Sequence, residues 1–267
     1  MFVIADLFWC RDEALDQVDY ALEISPKLLQ FLEGYFNAEY PLPKLDMAAI
    51  PNFKFNGMEN WGLIMYRESA VLYDPLVSTI NSKRGLITVI AHEISHMWFG
   101  NLVTPKWWSE LWLKEGFANF MGYMAIENVE PNWKMMDYSV RKSMYNALMA
   151  DSLLSSHPIN VEVNNPDRIS EIFDSISYDK GASIIRMMYH FLSEEVYKRG
   201  MQNYVKILQY DNAVQGDLWR FLTQSWNESE SFDPSRTVQT IMNTWTLQEG
   251  YPVVNITRNA THLHLSQ

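Results

Sequence analysis

The sequence predicts an α+β fold in which a small mixed α/β lobe, residues 1–83, precedes a larger and mostly helical lobe, residues 84–250. Three observations lead there. Apolar residues recur at helical spacing through Leu28, Leu29, Phe31, Leu32, Tyr35 and Phe36. Two short runs, 44–50 and 62–68, read as strands around a loop that holds Asn52, Asn56, Gly57 and Asn60. From Lys83 onward, helix-period segments follow one another with short breaks. A length of 267 residues suits one large domain or two small lobes.

In chain order, 13–40 is expected to be helical with a break at Ser25-Pro26, closed by Pro41 and Pro43. Residues 84–99 form one helix, ended by Gly100-Asn101. Thr104-Pro105 reads as a turn, and Ser109 as the N-cap of a helix to about Asn128. Pro131 suits the first turn of a helix to about Met149, with Met135, Met136, Met144 and Met149 on a face packed on the core or lining a pocket. Residues 151–174 are loop-rich. Helices are expected again at 177–192, 195–209, 216–226 and 234–247. Gly250-Tyr251-Pro252 ends that pattern, and the alternation over 253–265 reads as the start of a following β module, 251–267.

Composition excludes several functions. The chain carries 21 Lys+Arg against 32 Asp+Glu, a formal net charge of −11, which argues against a nucleic-acid partner. Cys10 is the single cysteine, so neither an intrachain disulfide nor a thiolate metal cluster can form. Apolar stretches such as 86–91 fall far short of the ~20 residues that span a bilayer. Residues 1–9 lack the basic segment and cleavage site of a signal peptide. Sequons at Asn227, Asn255 and Asn259 favour a lumenal or extracellular setting, and a cytosolic one stays open.

The chemistry concentrates in His92-Glu93-Ile94-Ser95-His96. One helical turn separates the two histidines, so both imidazoles project from one face and can share a Zn²⁺, with Glu93 beside them to act on a water. Apolar residues surround this helix almost completely, and burying two histidines and a carboxylate without partners costs several kcal/mol. Eighteen residues separate His96 from Glu115, which lies in a second apolar helix within Trp112-Leu113-Lys114-Glu115-Gly116-Phe117. Two histidines, one glutamate and an open position make a catalytic zinc set, whereas structural sites fill all four positions. Asn119, one turn beyond Glu115, is either a partner of a ligand or helix surface.

These motifs, with Gly57-Met58-Glu59-Asn60-Trp61-Gly62-Leu63, resemble the gluzincin metallo-aminopeptidases, the aminopeptidase N family. The resemblance runs over nearly all of residues 12–255. It implies a thermolysin-like catalytic domain with zinc at the cleft between the lobes. It also implies hydrolysis of the N-terminal peptide bond of peptides through a metal-activated water. His92, His96 and Glu115 would bind one Zn²⁺, and Glu93 would act as general base and then general acid. Glu59, by spacing alone a loop carboxylate, would bind the substrate's free α-amino group, with Gly57, Met58 and Asn60 shaping the same subsite. Tyr178, otherwise one of 14 tyrosines, would donate to the developing oxyanion through its match to the family's Tyr-x-Lys-Gly segment. Two departures stand out: Asn56-Gly57 replaces Gly-Ala at the start of the exopeptidase motif, and the β-rich, β-sandwich and helical domains usual in the family are missing or cut short. The alternative reading is therefore a non-catalytic zinc- or peptide-binding fragment of such an enzyme.

Overall fold

In the computed structural model, residues 5–229 and 235–267 are described. A four-stranded sheet occupies the first part of the chain, in the order β1-β2-β4-β3. Strands β1 (Ala5–Trp9), β2 (Lys44–Ile50) and β4 (Leu63–Arg67) run parallel, and the short β3 (Gly57–Met58) lies antiparallel to β4. β1 was not expected, and β3 falls in the expected loop; both gain their hydrogen bonds from distant partners that local pattern does not reveal. Helix α1 (Asp19–Phe36) carries Pro26 inside it instead of breaking there. Proline removes one hydrogen bond, but Ile24 and Leu28 on either side are fully buried and hold the helix continuous. The segment before it, Asp12–Gln17, is a separate 3₁₀ turn.

After the short α2 (Glu68–Val71), helix α3 runs over Ile80–Ser95. It starts a turn earlier than expected because the Thr79 hydroxyl caps it, accepting from Ser82 N–H at 3.1 Å. Strand β5 (Val103–Pro105) contains the Thr104-Pro105 pair expected as a turn. It pairs in parallel with β6 (Asp211–Ala213) in a two-stranded ribbon, where proline's missing N–H can be tolerated at an edge. Ser109 lies in a 3₁₀ turn, Trp108–Glu110, and makes no side-chain cap; helix α4 begins at Trp112 and ends at Val129.

α4 is the centre of the core. Trp112, Phe117, Phe120, Met121 and Ile126 are buried to 1 % exposure or less, each such side chain contributing about 1.5–3 kcal/mol relative to exposure. The helix packs against α3, α1 and α7. Between them run α5 (Met135–Ser139) and α6 (Tyr145–Asp151), joined by a π-helical turn over Val140–Met144. Of the four methionines, Met135 is buried and Met136 packs partly on the core, but Met144 and Met149 are 38 % and 72 % exposed. Met144 lines a cavity with Met187 and Phe191, as the second half of that expectation allows. A second π turn, Ile176–Lys180, leads into α7 (Gly181–Leu192).

α8 (Glu194–Leu208), α9 (Gln215–Asn227) and α10 (Val238–Thr246) complete the helices. Residue 234 of the last expected helix lies outside the described residues, and α10 starts where the Thr237 hydroxyl caps it. β7 (Asn255–Arg258) and β8 (Leu263–Ser266) form an antiparallel hairpin exposed along its whole length.

α4 and α7 touch backbone to backbone. A Cβ at Gly116 would lie 2.9 Å from the carbonyl carbon of Gly181. Glycine is therefore required for the approach that brings the turn before α7 against α4. Gly116→Ala should destabilise the protein despite alanine's higher helix propensity, by about 1–3 kcal/mol for an overpacked backbone contact. A thermal melt should show a Tm lowered by roughly 2–10 °C; an unchanged or higher Tm would contradict the contact.

Candidate metal centre

α3 and α4 pack side by side, and their facing residues meet in pairs. His92 on α3 reaches Asn119 and Glu115 on α4, and His96 at the end of α3 reaches Glu115. The His92 Nδ1–H donates to Asn119 Oδ1 at 2.9 Å, and the His96 Nδ1–H donates to the Phe99 carbonyl at 2.8 Å. In neutral rings this leaves both Nε2 atoms as acceptors. They face each other at 3.0 Å and lie 3.2 and 3.3 Å from the same Glu115 Oε2.

Three acceptors this close repel unless positive charge lies among them. The donor set fits a tetrahedral divalent ion, whose ligands at about 2.0–2.2 Å stand roughly 3.3–3.5 Å from one another. Burial alone would raise the Glu115 carboxyl, but His96 and His92, when their Nε2 atoms carry protons, and Lys114 hold it well below its ordinary value. Asn119 thus meets the second nitrogen of His92 and favours the tautomer with its proton on Nδ1.

Glu93, between the two histidines in sequence, belongs to the same cluster. One of its oxygens, a nitrogen of His96 and an oxygen of Glu59 lie within 4.8 Å of one another. The side chain is buried, and Oε2 has no hydrogen-bond partner among the described residues. Burial raises its pKa to about 8 against the opposing charge of His92, with Glu59 and Glu115 pushing the same way as burial. A Cβ at Gly57 would fall 2.2 Å from Glu93 Oε1. The carboxylate therefore occupies the space that the family's alanine would fill, and the Asn56-Gly57 departure has this local consequence.

Glu59 follows β3, and its backbone carbonyl accepts from Asn101 Nδ2 at 2.8 Å. Its carboxylate takes the Lys114 ammonium at 2.7 Å, while the same ammonium donates to Glu115 Oε1 at 2.5 Å. Burial would raise the Glu59 carboxyl, but His96 and Lys114 outweigh it and lower the pKa. Lys114 itself stays charged, since Glu115 and Glu59 override its burial and raise its pKa. Lys114 and Asn101 lay inside the motifs without an assigned role, because nothing local in the sequence says which carboxylate a lysine will meet. Met58 is half-buried in β3, and Asn60 is exposed, turning its amide back to the Met58 carbonyl at 3.4 Å.

Tyr178 sits in the π turn before α7, its ring stacked on His92 at 5.9 Å between centroids and 14° between planes. Burial first, and then the charge of Glu115 nearby, raises its pKa, so it keeps its proton at neutral pH. The turn is held from behind by the buried Lys180–Asp151 ion pair at 2.7 Å. A cavity of about 650 Å³, lined by Met144, Met187, Phe191 and Trp245 among others, adjoins that ion pair and includes none of the cluster residues.

The sign of the Glu93 shift gives a pH dependence for metal-depleted protein. Its folded pKa of about 8 lies above the ordinary 4.5, so the folded state retains a proton that the unfolded chain has lost between those values. Stability present at low pH is thereby lost as pH rises through that window. Glu93→Gln should therefore raise the Tm of metal-depleted protein little at pH 4 and increasingly up to pH 8. A constant difference across that range in thermal melts would remove Glu93 as its source.

Comparison with known proteins agrees with this geometry. The Peptidase family M1 domain matches residues 20–245. The chain is 45 % identical to aminopeptidase N of Mus musculus over 256 residues, 94 % of this chain and 26 % of that protein. It is 45 % identical to aminopeptidase N of Homo sapiens over 253 residues, 93 % and 26 %. Against endoplasmic reticulum aminopeptidase 1 of Mus musculus it is 44 % identical over 274 residues, 96 % and 29 %. The chain thus spans little more than a quarter of the length of these relatives. Its two helices with their shared histidine–glutamate cluster, and the match across most of its length, show that it belongs to peptidase family M1, the gluzincin family of aminopeptidase N.

Proposed function

We propose that this chain is the catalytic part of a zinc-dependent aminopeptidase that removes N-terminal residues from peptides. Residues 1–250 form its thermolysin-like peptidase domain, with the site in the cleft between the lobes 1–83 and 84–250, and 251–267 begin a separate β unit. The observation that carries this reading is the convergence of His92 Nε2, His96 Nε2 and Glu115 Oε2 with the buried Glu93 beside them. The relatives' printed names, aminopeptidase N and endoplasmic reticulum aminopeptidase, support the same activity.

His92, His96 and Glu115 would hold one Zn²⁺. When bound, that ion supplies Lewis acidity, making water more acidic and polarising a carbonyl. Glu93 takes a proton from the attacking water on a carboxylate oxygen and passes it to the leaving amine nitrogen. The Tyr178 hydroxyl donates to the oxyanion that develops on the scissile carbonyl. Glu59 pairs with the substrate's α-ammonium, which limits cleavage to the first peptide bond, and Gly57, Met58 and Asn60 shape that subsite.

The three sequon asparagines are exposed, which supports a lumenal or extracellular location, as does the printed name of the relative endoplasmic reticulum aminopeptidase 1. Among the described residues, no helix is long and apolar enough to cross a membrane.

Aminoacyl reporter substrates, with chelator and zinc add-back, test the reading. Hydrolysis should vanish with chelation and return with zinc. Glu93→Gln should keep stoichiometric zinc and lose about 10²–10⁴-fold in turnover; retained activity would remove Glu93 from the reaction. Stoichiometric zinc in the unaltered chain without turnover would instead identify a binding fragment. Tyr178→Phe should lower kcat about a hundredfold with unchanged zinc content, as expected for loss of one oxyanion donor; an unaltered kcat would assign the ring a packing role.

A further inference from the structure

Lys114 contributes an ammonium to the place where the reading above puts the substrate's ammonium. Its Nζ bridges Glu59 Oε1 at 2.7 Å and Glu115 Oε1 at 2.5 Å, with its side chain 16 % exposed. Glu115 presents its other oxygen, Oε2, to the two imidazoles, so the bridge leaves the metal-facing edge of that carboxylate free. The lysine stem runs across Gly100, where an added Cβ would stand 3.4 Å from Lys114 Cβ and Cδ. Its ammonium lies 5.7 Å from the Phe173 ring. The side chain is thus held along its length.

We propose that Lys114 is a tethered occupant of the amine subsite, competing with the substrate's α-ammonium for Glu59 and so setting the selectivity between free and blocked N-termini. The inference rests on the assignment of Glu59 to the substrate amine. An incoming ammonium finds a carboxylate whose Oε1 already accepts a charge-assisted hydrogen bond, and it brings like charge to within a few ångströms of Lys114. It must displace or share that partner. A substrate with an acylated or otherwise neutral N-terminus pays no such penalty. The tethered lysine therefore narrows the preference for free amines that Glu59 alone would confer.

The test compares unaltered protein with Lys114→Gln, Lys114→Met and Lys114→Arg, folded state checked by circular dichroism. The probes are a free amino acid and its N-acetyl derivative, titrated calorimetrically into both zinc-loaded and metal-depleted protein. The Gln and Met variants should bind the free amino acid about tenfold more tightly, one charge-assisted bond's worth of competition, with the acetylated probe unchanged. Lys114→Arg, which keeps the charge, should bind like the unaltered protein. In aminoacyl reporter assays the same gain should fall on KM for free-amine substrates.

Adding Glu59→Ala to Lys114→Gln should abolish the gain. Unchanged or weaker amine binding in both neutral variants would overturn the proposal and make Lys114 a brace for Glu59. A gain that survives loss of Glu59 would overturn it as well. Because calorimetry reads amine binding without turnover, an inactive chain would refute the proposed function while still deciding the role of Lys114.

Discussion

Two imidazole nitrogens and one carboxylate oxygen are pressed within 3.0–3.3 Å of one another on the facing sides of α3 and α4. In an apolar interior that proximity is unfavourable unless positive charge is shared among the three, because the low dielectric magnifies both attraction and repulsion. The rest of the architecture enforces it. α4 is buried on nearly every side, so it cannot slide to relieve the contact, and Asn119 and the Phe99 carbonyl hold both rings with Nε2 turned inward. The fold's stability is thus used to maintain an arrangement that, taken alone, disfavours the folded state, as is usual for functional sites.

Around this centre the charges are unequal. Glu59, Glu93 and Glu115 crowd together, and Lys114 is the lysine or arginine whose ammonium contacts two of them among the described residues. Glu115 and Glu59, paired with that cation and the histidines, stay ionised, whereas Glu93, without a cation in contact, has its pKa raised to about 8 by burial. Neighbouring carboxylates are thereby driven to opposite protonation behaviour by environment alone. In the metal-free protein this protonation difference is what separates Glu93 from the two carboxylates beside it.

The parts of this arrangement that were legible in the sequence are those with a short period. His92 and His96 share a helical face because of 3.6-residue geometry, and the apolar surroundings of Glu115 marked it as a carboxylate in need of a partner. What escaped depends on contacts between distant segments. β1 is a strand through pairing with β2, some forty residues later, and β5 through pairing with β6, more than a hundred residues later. The turn at 176–180 reads locally as ordinary helix; its π geometry goes with the close approach of Gly116 and Gly181. From sequence Asn119 is either helix surface or a partner of His92, and only its 2.9 Å distance to the ring across two helices distinguishes them. Tyr178 could be singled out by resemblance to the family but not by any pattern of its own.

The places where this chain departs from the family motif can be interpreted in the same physical terms. With Gly57 in place of alanine, the Glu93 carboxylate can lie against the backbone of β3, where a Cβ would approach Oε1 to 2.2 Å. That brings Glu93 toward the strand leading into Glu59, so the two carboxylates are packed into one compact group with His96. Such crowding raises the energy of ionised carboxylates unless a counter-charge is at hand, and Lys114 supplies one from the residue beside Glu115. A small residue that lets carboxylates come closer and a cation that relieves their repulsion are physically complementary. Substituting either alone leaves the other's contribution unbalanced, so their effects on the site should be coupled rather than additive.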